Sequence, residues 1–422
     1  MDNISQKRVL FFIVAFAIVF IAFAMRRPDI ITNPQFWAED GKVWYAQAYN
    51  LGVLNSILLP QDGYYQTISK LVAGISLNFS IASAPLVFNI AGLLIRSSLV
   101  IFILSRRMSC LDMATRCIVA TFIVLMPHLQ EVHANITNTH WYLATYLFFV
   151  LISDKSESIL WRCHDYIVLV LSGLSGPFAI FLAPVILFRV LSSVKIDMSG
   201  AWIKQFFKSI TLYEWCFALV CTVQLIAILM TQSSARSPAE LGASIQTFSN
   251  IASSKIFIGF ILSEHDAKIL WSYELLNLVA TTVGIAFLVY CFVKSDWRVK
   301  GMIVFPVLML AAALAKPMIS LTQPQWPQIQ LGAGQRYFVI TSIFWVLILS
   351  SAFRSFGRKV HIVYLIAFLS VALPSFYKNF NIGPFPDNRW DKQVVIYKDA
   401  KPGEYLRLST ALDAWKVAIK KK

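Results

Sequence analysis

The chain has 422 residues, of which 57% are apolar and 14% are charged, whereas roughly 25% of the residues of an ordinary soluble domain are charged. The net charge of +15 argues little for nucleic-acid binding, because the Lys and Arg residues are dispersed at the ends of apolar runs and form no patch. Apolar runs that approach the roughly 20 residues of a bilayer-crossing helix recur along the chain. The sequence therefore predicts an all-α, polytopic bundle of transmembrane helices.

Nine apolar runs are predicted to cross the membrane. The first covers residues 9–25 and is expected to be retained, because the Arg26-Arg27-Pro28-Asp29 segment after it lacks the small-residue cleavage site of a signal peptide. The other predicted spans are residues 84–104, 112–127, 141–153, 213–231, 275–293, 302–315, 337–352 and 360–374.

An apolar stretch from Tyr166 to Leu191, between the fourth and fifth predicted spans, is interrupted at its centre. A Ser-Gly-Leu-Ser-Gly-Pro segment, residues 172–177, breaks it into halves that are each too short to cross a bilayer alone. The preferred interpretation is a re-entrant helical pair, since broken backbone persists at membrane depth only where protein or water covers it. The alternative is two short, tilted spans, so the bundle would hold 9–11 membrane helices in all.

The distribution of basic residues orients these spans. Short cytoplasmic loops carry an excess of Lys and Arg, which places the N-terminus in the cytoplasm. A transmembrane domain, residues 1–374, then has outer loops at 26–83, 128–140, 232–273 and 316–336. The lysine-rich tail, residues 375–422, is placed outside as well, because long segments cross largely regardless of charge. None of the six cysteines lies in these outer segments, so no disulfide is expected to support them.

The first outer loop contains two adjacent carboxylates, Glu39 and Asp40, shortly after the aromatic pair Phe36-Trp37. A carboxylate that aromatic side chains partly desolvate has a raised pKa and suits the role of a general base. The alternative is that the pair forms the polar start of a surface helix. Because neighbouring side chains on a helix point about 100° apart, only one of the two is expected to face a cavity.

The second outer loop is short, and it holds three histidines, one glutamate and no basic residue. His128 and His133 are five residues apart, which is not the spacing of zinc hydrolases, so no metal is predicted, although a divalent cation is left open. Imidazole and amide groups beside the aromatic ring of Trp141 suit a sugar-binding site. The alternative is an interfacial cap of aromatic residues at the lipid headgroups.

The fourth outer loop ends in Gly334-Gln335-Arg336-Tyr337-Phe338, at the start of a long apolar span. A permanent cation at this position is costly unless an anion pairs with it. The expected structural partners are Glu39, Asp40 or a lipid headgroup. The expected functional partner is the phosphate of a lipid-linked donor, since a guanidinium makes two-pronged hydrogen bonds to phosphate.

In its order of motifs, the chain resembles the integral membrane glycosyltransferases of the GT-C type. More narrowly, it resembles the bacterial and phage-encoded serotype-converting glucosyltransferases that modify O-antigen. The motifs that carry the resemblance are the acidic pair Glu39-Asp40, the His-Trp-Tyr-Leu segment from His140, the Ser-Gly-Leu-Ser-Gly-Pro-Phe break from Ser172, and the Gly-Gln-Arg-Tyr-Phe segment from Gly334.

The resemblance implies a GT-C-like fold and an inverting hexosyltransferase in the bacterial inner membrane. Such enzymes move a sugar, here expected to be glucose, from undecaprenyl phosphate or a similar polyprenyl phosphate to O-antigen or another lipid-linked glycan on the periplasmic side. Glu39 or Asp40 would be the base, and Arg336 would contact the phosphate. The other residues expected to bind substrate are Gln335, His140, Trp141, Tyr64 and His133.

Two other functions stay open at this stage. An O-antigen polymerase or ligase would favour a larger outer loop with several arginines, and here the outer arginines before the tail are few. A transporter or flippase of lipid-linked sugars would place charges within its spans near the membrane midplane, where this chain has mainly Arg96.

Overall fold

A computed structural model describes residues 3–194, 201–231 and 237–422. Within these ranges the chain is mostly helical, as predicted, and long apolar helices pack around one extended hydrophobic core. The predicted third outer loop, 232–273, starts outside the described residues, at 232–236.

Seven helices in the described part of the chain are long and apolar enough to cross a membrane, which confirms the prediction of a multi-span helical protein. Each coincides with one of the predicted spans. They are α1 (Asn3–Arg26), α6 (Ala84–Leu104), α12 (Leu212–Met230), α15 (Glu274–Lys294), α16 (Trp297–Ala315), α17 (Val339–Ser355, preceded by the turn Gln335–Phe338) and α18 (Arg358–Lys378).

The remaining two predicted spans form shorter helices, α7 (Met113–Leu125) and α8 (Thr139–Ile152). With 13 and 14 residues, both are shorter than the roughly 20 residues that a lipid-facing span needs. Every residue of α8 is buried, because the longer helices surround it. Phe148 of α8 packs against Phe305 and Phe344 with ring centroids 5.8 Å and 4.5 Å apart. Thus α8 is a central core helix.

The interrupted stretch forms two helices, α9 (Ile159–Gly173) and α10 (Phe178–Ser192), as predicted. The break between them contacts the first outer loop, where the Thr67 amide donates to Leu174 O at 2.9 Å and the Gly176 amide donates to Tyr65 O at 2.9 Å. The tip of the pair therefore reaches the end of the bundle at which the first outer loop lies.

Ion pairs mark the opposite end of the bundle, which is the predicted cytoplasmic end. The paired residues lie in segments next to the predicted cytoplasmic loops. The structure therefore places at one end of the bundle the same segments that the distribution of basic residues assigned to the cytoplasmic side. The pairs are Arg107–Asp165 at 2.9 Å, Arg298–Asp154 at 3.0 Å and Arg189–Glu214 at 3.8 Å.

Short helices outside the long spans build the two outer loops of greatest length and one connection on the predicted cytoplasmic side. In the first outer loop they are α2 (Asp29–Thr32), α3 (Ala46–Leu51), α4 (Val53–Leu58) and α5 (Thr67–Ser76), with a π-helical turn at Asp40–Tyr45 that runs into α3. The connection contains α11 (Ala201–Ser209), and the third outer loop contains α13 (Ile245–Ala252) and α14 (Glu264–Trp271).

The tail forms α19 (Trp390–Asp399) and an antiparallel hairpin of β1 (Tyr405–Ser409) and β2 (Lys416–Lys420). The hairpin was not predicted. Its inward side chains, such as Leu408 and Val417, join a second hydrophobic cluster with Phe36 and Trp44 of the first outer loop. The tail and the first outer loop thus share a core at one end of the bundle.

Arg26, at the end of α1, fastens the start of the tail to this end of the bundle. Its guanidinium is fully buried and donates to Phe380 O and Asn379 O in the tail segment, and to Val124 O and Met126 O at the end of α7. A buried cation is tolerated here because carbonyl oxygens surround it.

Candidate active site

The two adjacent carboxylates of the first outer loop have different environments. Asp40 is completely buried and accepts three hydrogen bonds, from Thr137 Oγ1 at 2.6 Å, Thr137 N at 2.9 Å and Ile136 N at 3.2 Å. Trp44 Nε1 also donates to Thr137 Oγ1 at 2.9 Å. Asp40 therefore joins the first outer loop to the second, and its oxygens are occupied.

Burial raises the pKa of Asp40 to about 7, against the lowering effect of the hydrogen bonds from Thr137 and Ile136. The carboxyl is close to its protonation midpoint at neutral pH, yet it has no open approach for an acceptor. Burial and three hydrogen bonds make Asp40 a structural contact between the two loops.

Glu39 is only partly buried. Burial raises the pKa of Glu39, and the negative charges of Glu131 and Asp62 raise it further, whereas Arg336 lowers it. These groups thus lie within electrostatic range of one another. Ala38, just before Glu39, has a φ of 40°, which is uncommon for a residue with a side chain and marks a sharp entry into the π-helical turn.

Arg336 forms an ion pair with Glu131 of the second outer loop. Its second nitrogen donates to Met318 O at 2.6 Å and to the Tyr337 hydroxyl at 2.9 Å. The expectation that a carboxylate of the first outer loop would be the ion-pair partner is therefore wrong. A phosphate that bound Arg336 would have to share it with Glu131.

Gln335 holds the second outer loop against the turn before α17. Its Oε1 accepts a hydrogen bond from Glu131 N at 3.2 Å, and its Nε2 donates to Gln130 Oε1 at 3.3 Å and Glu264 Oε2 at 3.4 Å. Gln335 therefore orients the residue that pairs with Arg336. We refer below to Glu39, Asp62, Tyr64, Glu131, Gln335 and Arg336 as the polar cluster.

Tyr64 stands in a tight turn that the sequence Gln61-Asp62-Gly63-Tyr64 forms through two backbone hydrogen bonds between Gln61 and Tyr64. Asp62 and Gly63 both have positive φ values, 52° and 94°. Burial raises the pKa of Tyr64 to about 12, and the charges of Asp62 and Glu39 contribute to the rise. The Tyr64 phenol is therefore a neutral donor beside Glu39.

His140 and Trp141 lie beneath the polar cluster and are buried. Both rings pack on Phe178 at the start of α10, with centroids 5.1 Å and 4.8 Å away, and Trp141 also meets Tyr337 edge-on at 6.1 Å. Their nitrogens His140 Nδ1 and Trp141 Nε1 have no hydrogen-bond partner among the described residues. The two rings form the base of the site, and because both are buried, neither presents an exposed face to a substrate.

His133 lies apart from these residues. It is fully buried, its Nε2 donates to Phe23 O of α1 at 2.9 Å, and its neighbours are Arg26, Arg27 and Arg96. The expectation that His133 binds substrate is corrected, because this histidine is a structural contact between α1 and the second outer loop.

Sequence reasoning missed three members of the site. Asp62 was available as an Asp-Gly turn signal two residues before Tyr64, and Tyr337 directly follows Arg336. Glu131 entered the sequence analysis only as the single glutamate of the second outer loop, and its partner lies 205 residues away in sequence. In the described part of the chain, no three His, Cys, Asp or Glu side chains converge in a way that could hold a metal ion.

The polar cluster combines a partly buried carboxylate of raised pKa, a neutral phenol and a fixed cation–carboxylate pair. Such a set can remove a proton from a hydroxyl group at Glu39 and can balance negative charge nearby. The cluster lies where the first and second outer loops meet the start of α17, at one end of the bundle.

Two solved structures are similar to the chain in the path of the backbone. Crystal structures of the Archaeoglobus fulgidus oligosaccharyltransferase, in the apo form and in complex with Zn and sulfate, match with TM-scores of 0.46 and 0.45 and identities of 13% and 12%. The matches cover 93% and 92% of this chain but 58% and 55% of those chains, so this chain spans little more than half of their length. No protein-family model and no curated protein matches. A likeness at this level assigns neither a family nor an activity.

Proposed function

We propose that the chain is a membrane glycosyltransferase of the GT-C type. It moves a hexose, expected to be glucose, from a polyprenyl-phosphate carrier to a hydroxyl of O-antigen or a related surface glycan on the outer face of a bacterial inner membrane. The observation that carries the proposal is the separation of the acidic pair. Asp40 is fully engaged in the fold, whereas Glu39 is presented to the polar cluster with a raised pKa.

In the proposed reaction, Glu39 accepts the proton of the acceptor hydroxyl as its oxygen attacks the anomeric carbon. The bond from that carbon to the phosphate oxygen breaks, and the carrier phosphate leaves with the electron pair. Attack opposite the leaving group inverts the anomeric centre. A cation beside the departing phosphate offsets its growing negative charge.

Arg96 is the buried charge within a predicted span, and a charge at such a place was the argument for a transporter. Its hydrogen bonds give it a structural explanation instead. Arg96 of α6 donates to Gly92 O at 2.8 Å, Thr139 Oγ1 at 2.9 Å, Val132 O at 2.8 Å and Asn135 O at 3.3 Å. These bonds fix the second outer loop to α6. Both terminal nitrogens of Arg96 thus bond to neutral acceptors of the fold, while its buried Nε has no hydrogen-bond partner among the described residues.

The test compares the O-antigen of cells that express wild type, Glu39→Gln or Asp40→Asn, by mass spectrometry of the released polysaccharide. We expect wild type to add one hexose per repeat and Glu39→Gln to add none, although it inserts and melts normally. Asp40→Asn should reach the membrane at a lower level, because losing a buried hydrogen-bond acceptor costs about 1–3 kcal/mol. Glu274→Gln changes an exposed carboxylate at the start of α15 and serves as the matched control.

Each other outcome identifies a different function. A change in O-antigen chain length without added hexose would indicate a polymerase. Unchanged glycan with altered amounts of carrier-linked sugar on the outer face would indicate a flippase. Wild-type glycosylation by Glu39→Gln would exclude Glu39 as the base.

A further inference from the structure

A narrow cavity lies directly beside the polar cluster, on the other side of Gln335. It holds about 20 Å³ of space, enough for a compact group but not for a sugar ring. Its polar lining is Lys255, His128, Gln335 and Ser342, and the remainder is mostly apolar, including Phe260 and Phe338.

Lys255 is the charged group of this cavity. It stands in the π-helical turn Ser253–Phe257 of the third outer loop, and only 7% of its surface is exposed. Among the residues that the structure describes, none accepts a hydrogen bond from its ammonium group and none forms an ion pair with it.

The nearby carboxylates already have partners. Glu264 forms an ion pair with Lys268 at 3.1 Å, and Glu131 is paired with Arg336. Burial lowers the pKa of His128 to about 4, and the charge of Lys255 lowers it too, so this imidazole is neutral at pH 7. The charge of Glu264 also favours the charged form of Lys255, but that carboxylate is already paired with Lys268, so among the described residues Lys255 has no ion-pair partner of its own.

A buried cation without a counter-ion is costly unless something anionic joins it. Burial lowers the pKa of Lys255 to about 8, so most of the amine remains protonated at pH 7. The space suits a compact oxyanion. The cavity contacts Gln335, whose neighbour Arg336 belongs to the candidate active site.

We propose that Lys255 binds a phosphate group in this cavity. The ammonium supplies a charge-assisted hydrogen bond that Arg336, already engaged with Glu131, supplies less readily. The existence of the phosphate site is independent of the proposed glycosyl transfer. Only the identity of the phosphate, as that of the lipid-linked donor or as free phosphate, rests on the proposed function.

The test measures the thermal shift of the purified full-length protein in detergent with inorganic phosphate, with a short polyprenyl phosphate and with the matching polyprenyl alcohol. Both phosphates should raise the melting temperature of wild type, and the alcohol should not. Lys255→Met should need roughly tenfold or more phosphate for the same shift, as expected for the loss of a charge-assisted hydrogen bond. Lys398→Met removes an exposed cation of α19, and it should keep the response.

The variants also separate binding from folding. Without ligand, Lys255→Met should melt no lower than wild type, because it removes an unpaired buried charge. If it does not fold, Lys255→Gln keeps a polar group in the cavity and serves the same comparison. A preference for polyprenyl phosphate over inorganic phosphate identifies the lipid donor, and equal responses identify free phosphate. An unchanged response in the Lys255 variants, or no response in wild type, overturns the site whatever the result at Glu39.

Discussion

Glu39 and Asp40 are neighbours in sequence, but their side chains have different environments in the fold. Asp40 turns inward to Thr137 and Ile136, while Glu39 remains partly exposed among charged side chains. The sequence predicted that only one of the two would face a cavity, but not which one. The deciding contact joins residues 97 apart in sequence, and no local pattern encodes it.

At the residue scale, the electrostatic neighbours of Glu39 predict how activity depends on pH. Burial and two nearby carboxylates raise the pKa of Glu39 above its ordinary 4.5, so a reaction that needs the ionised base should fall off at an unusually high pH on its acidic side. Asp62 is exposed, and Asn tolerates the positive φ of its turn position. Asp62→Asn removes one of the negative charges that raise this pKa.

We therefore expect the acidic limb of the pH–rate profile to move to lower pH by roughly 0.2 to 0.7 unit in Asp62→Asn, the size of an exposed charge interaction. The measurement is transfer rate against pH with purified enzyme and donor. Glu404→Asn, which alters an exposed loop of the tail, should leave the profile unchanged. An acidic limb that keeps its position, or that moves to higher pH, would show that the charge of Asp62 does not raise the pKa of the base.

At the scale of elements, the break between α9 and α10 illustrates what the sequence could and could not predict. Gly and Pro residues located the break itself. The side chain that supports it comes from the middle of α12, where Gln224 Nε2 donates to Gly173 O and Gly176 O at 3.0 Å and Oε1 accepts from Tyr65 N at 3.0 Å. A single glutamine in an apolar helix gave no indication of these three partners.

Gln224→Leu should destabilise the protein, because three backbone groups of the break and the first outer loop would lose their partner at a buried position. We expect a loss of roughly 1–3 kcal/mol or more, seen as a lower melting temperature in detergent. Thr222→Val is the matched control, since that hydroxyl bonds only to Ala218 O of its own helix and is exposed. Equal melting temperatures of the two variants would contradict a supporting role for Gln224.

At the scale of the whole molecule, run length and charge predicted the helical bundle well, because each long span is encoded locally by its own apolar residues. The contacts that build the site were not predictable in this way. The Arg336–Glu131 pair and the shared core of the tail and first outer loop connect distant segments. The hairpin of the tail was missed because its alternating apolar pairs, such as Leu406 and Leu408, are too short to stand out.

The shared core predicts that the first outer loop and the tail lie on one side of the membrane, opposite the loops of the ion-paired end. Single-cysteine variants at Asp62, Tyr405, Ser158 and Lys359, all exposed, can test this in a background without the six native cysteines, of which none forms a disulfide in the described structure. A membrane-impermeant maleimide added to spheroplasts should label Asp62→Cys and Tyr405→Cys. It should label Ser158→Cys and Lys359→Cys only after lysis. Labelling of Tyr405→Cys together with Ser158→Cys would contradict the packing of the tail, and a full reversal would place the polar cluster in the cytoplasm and exclude transfer on the outer face.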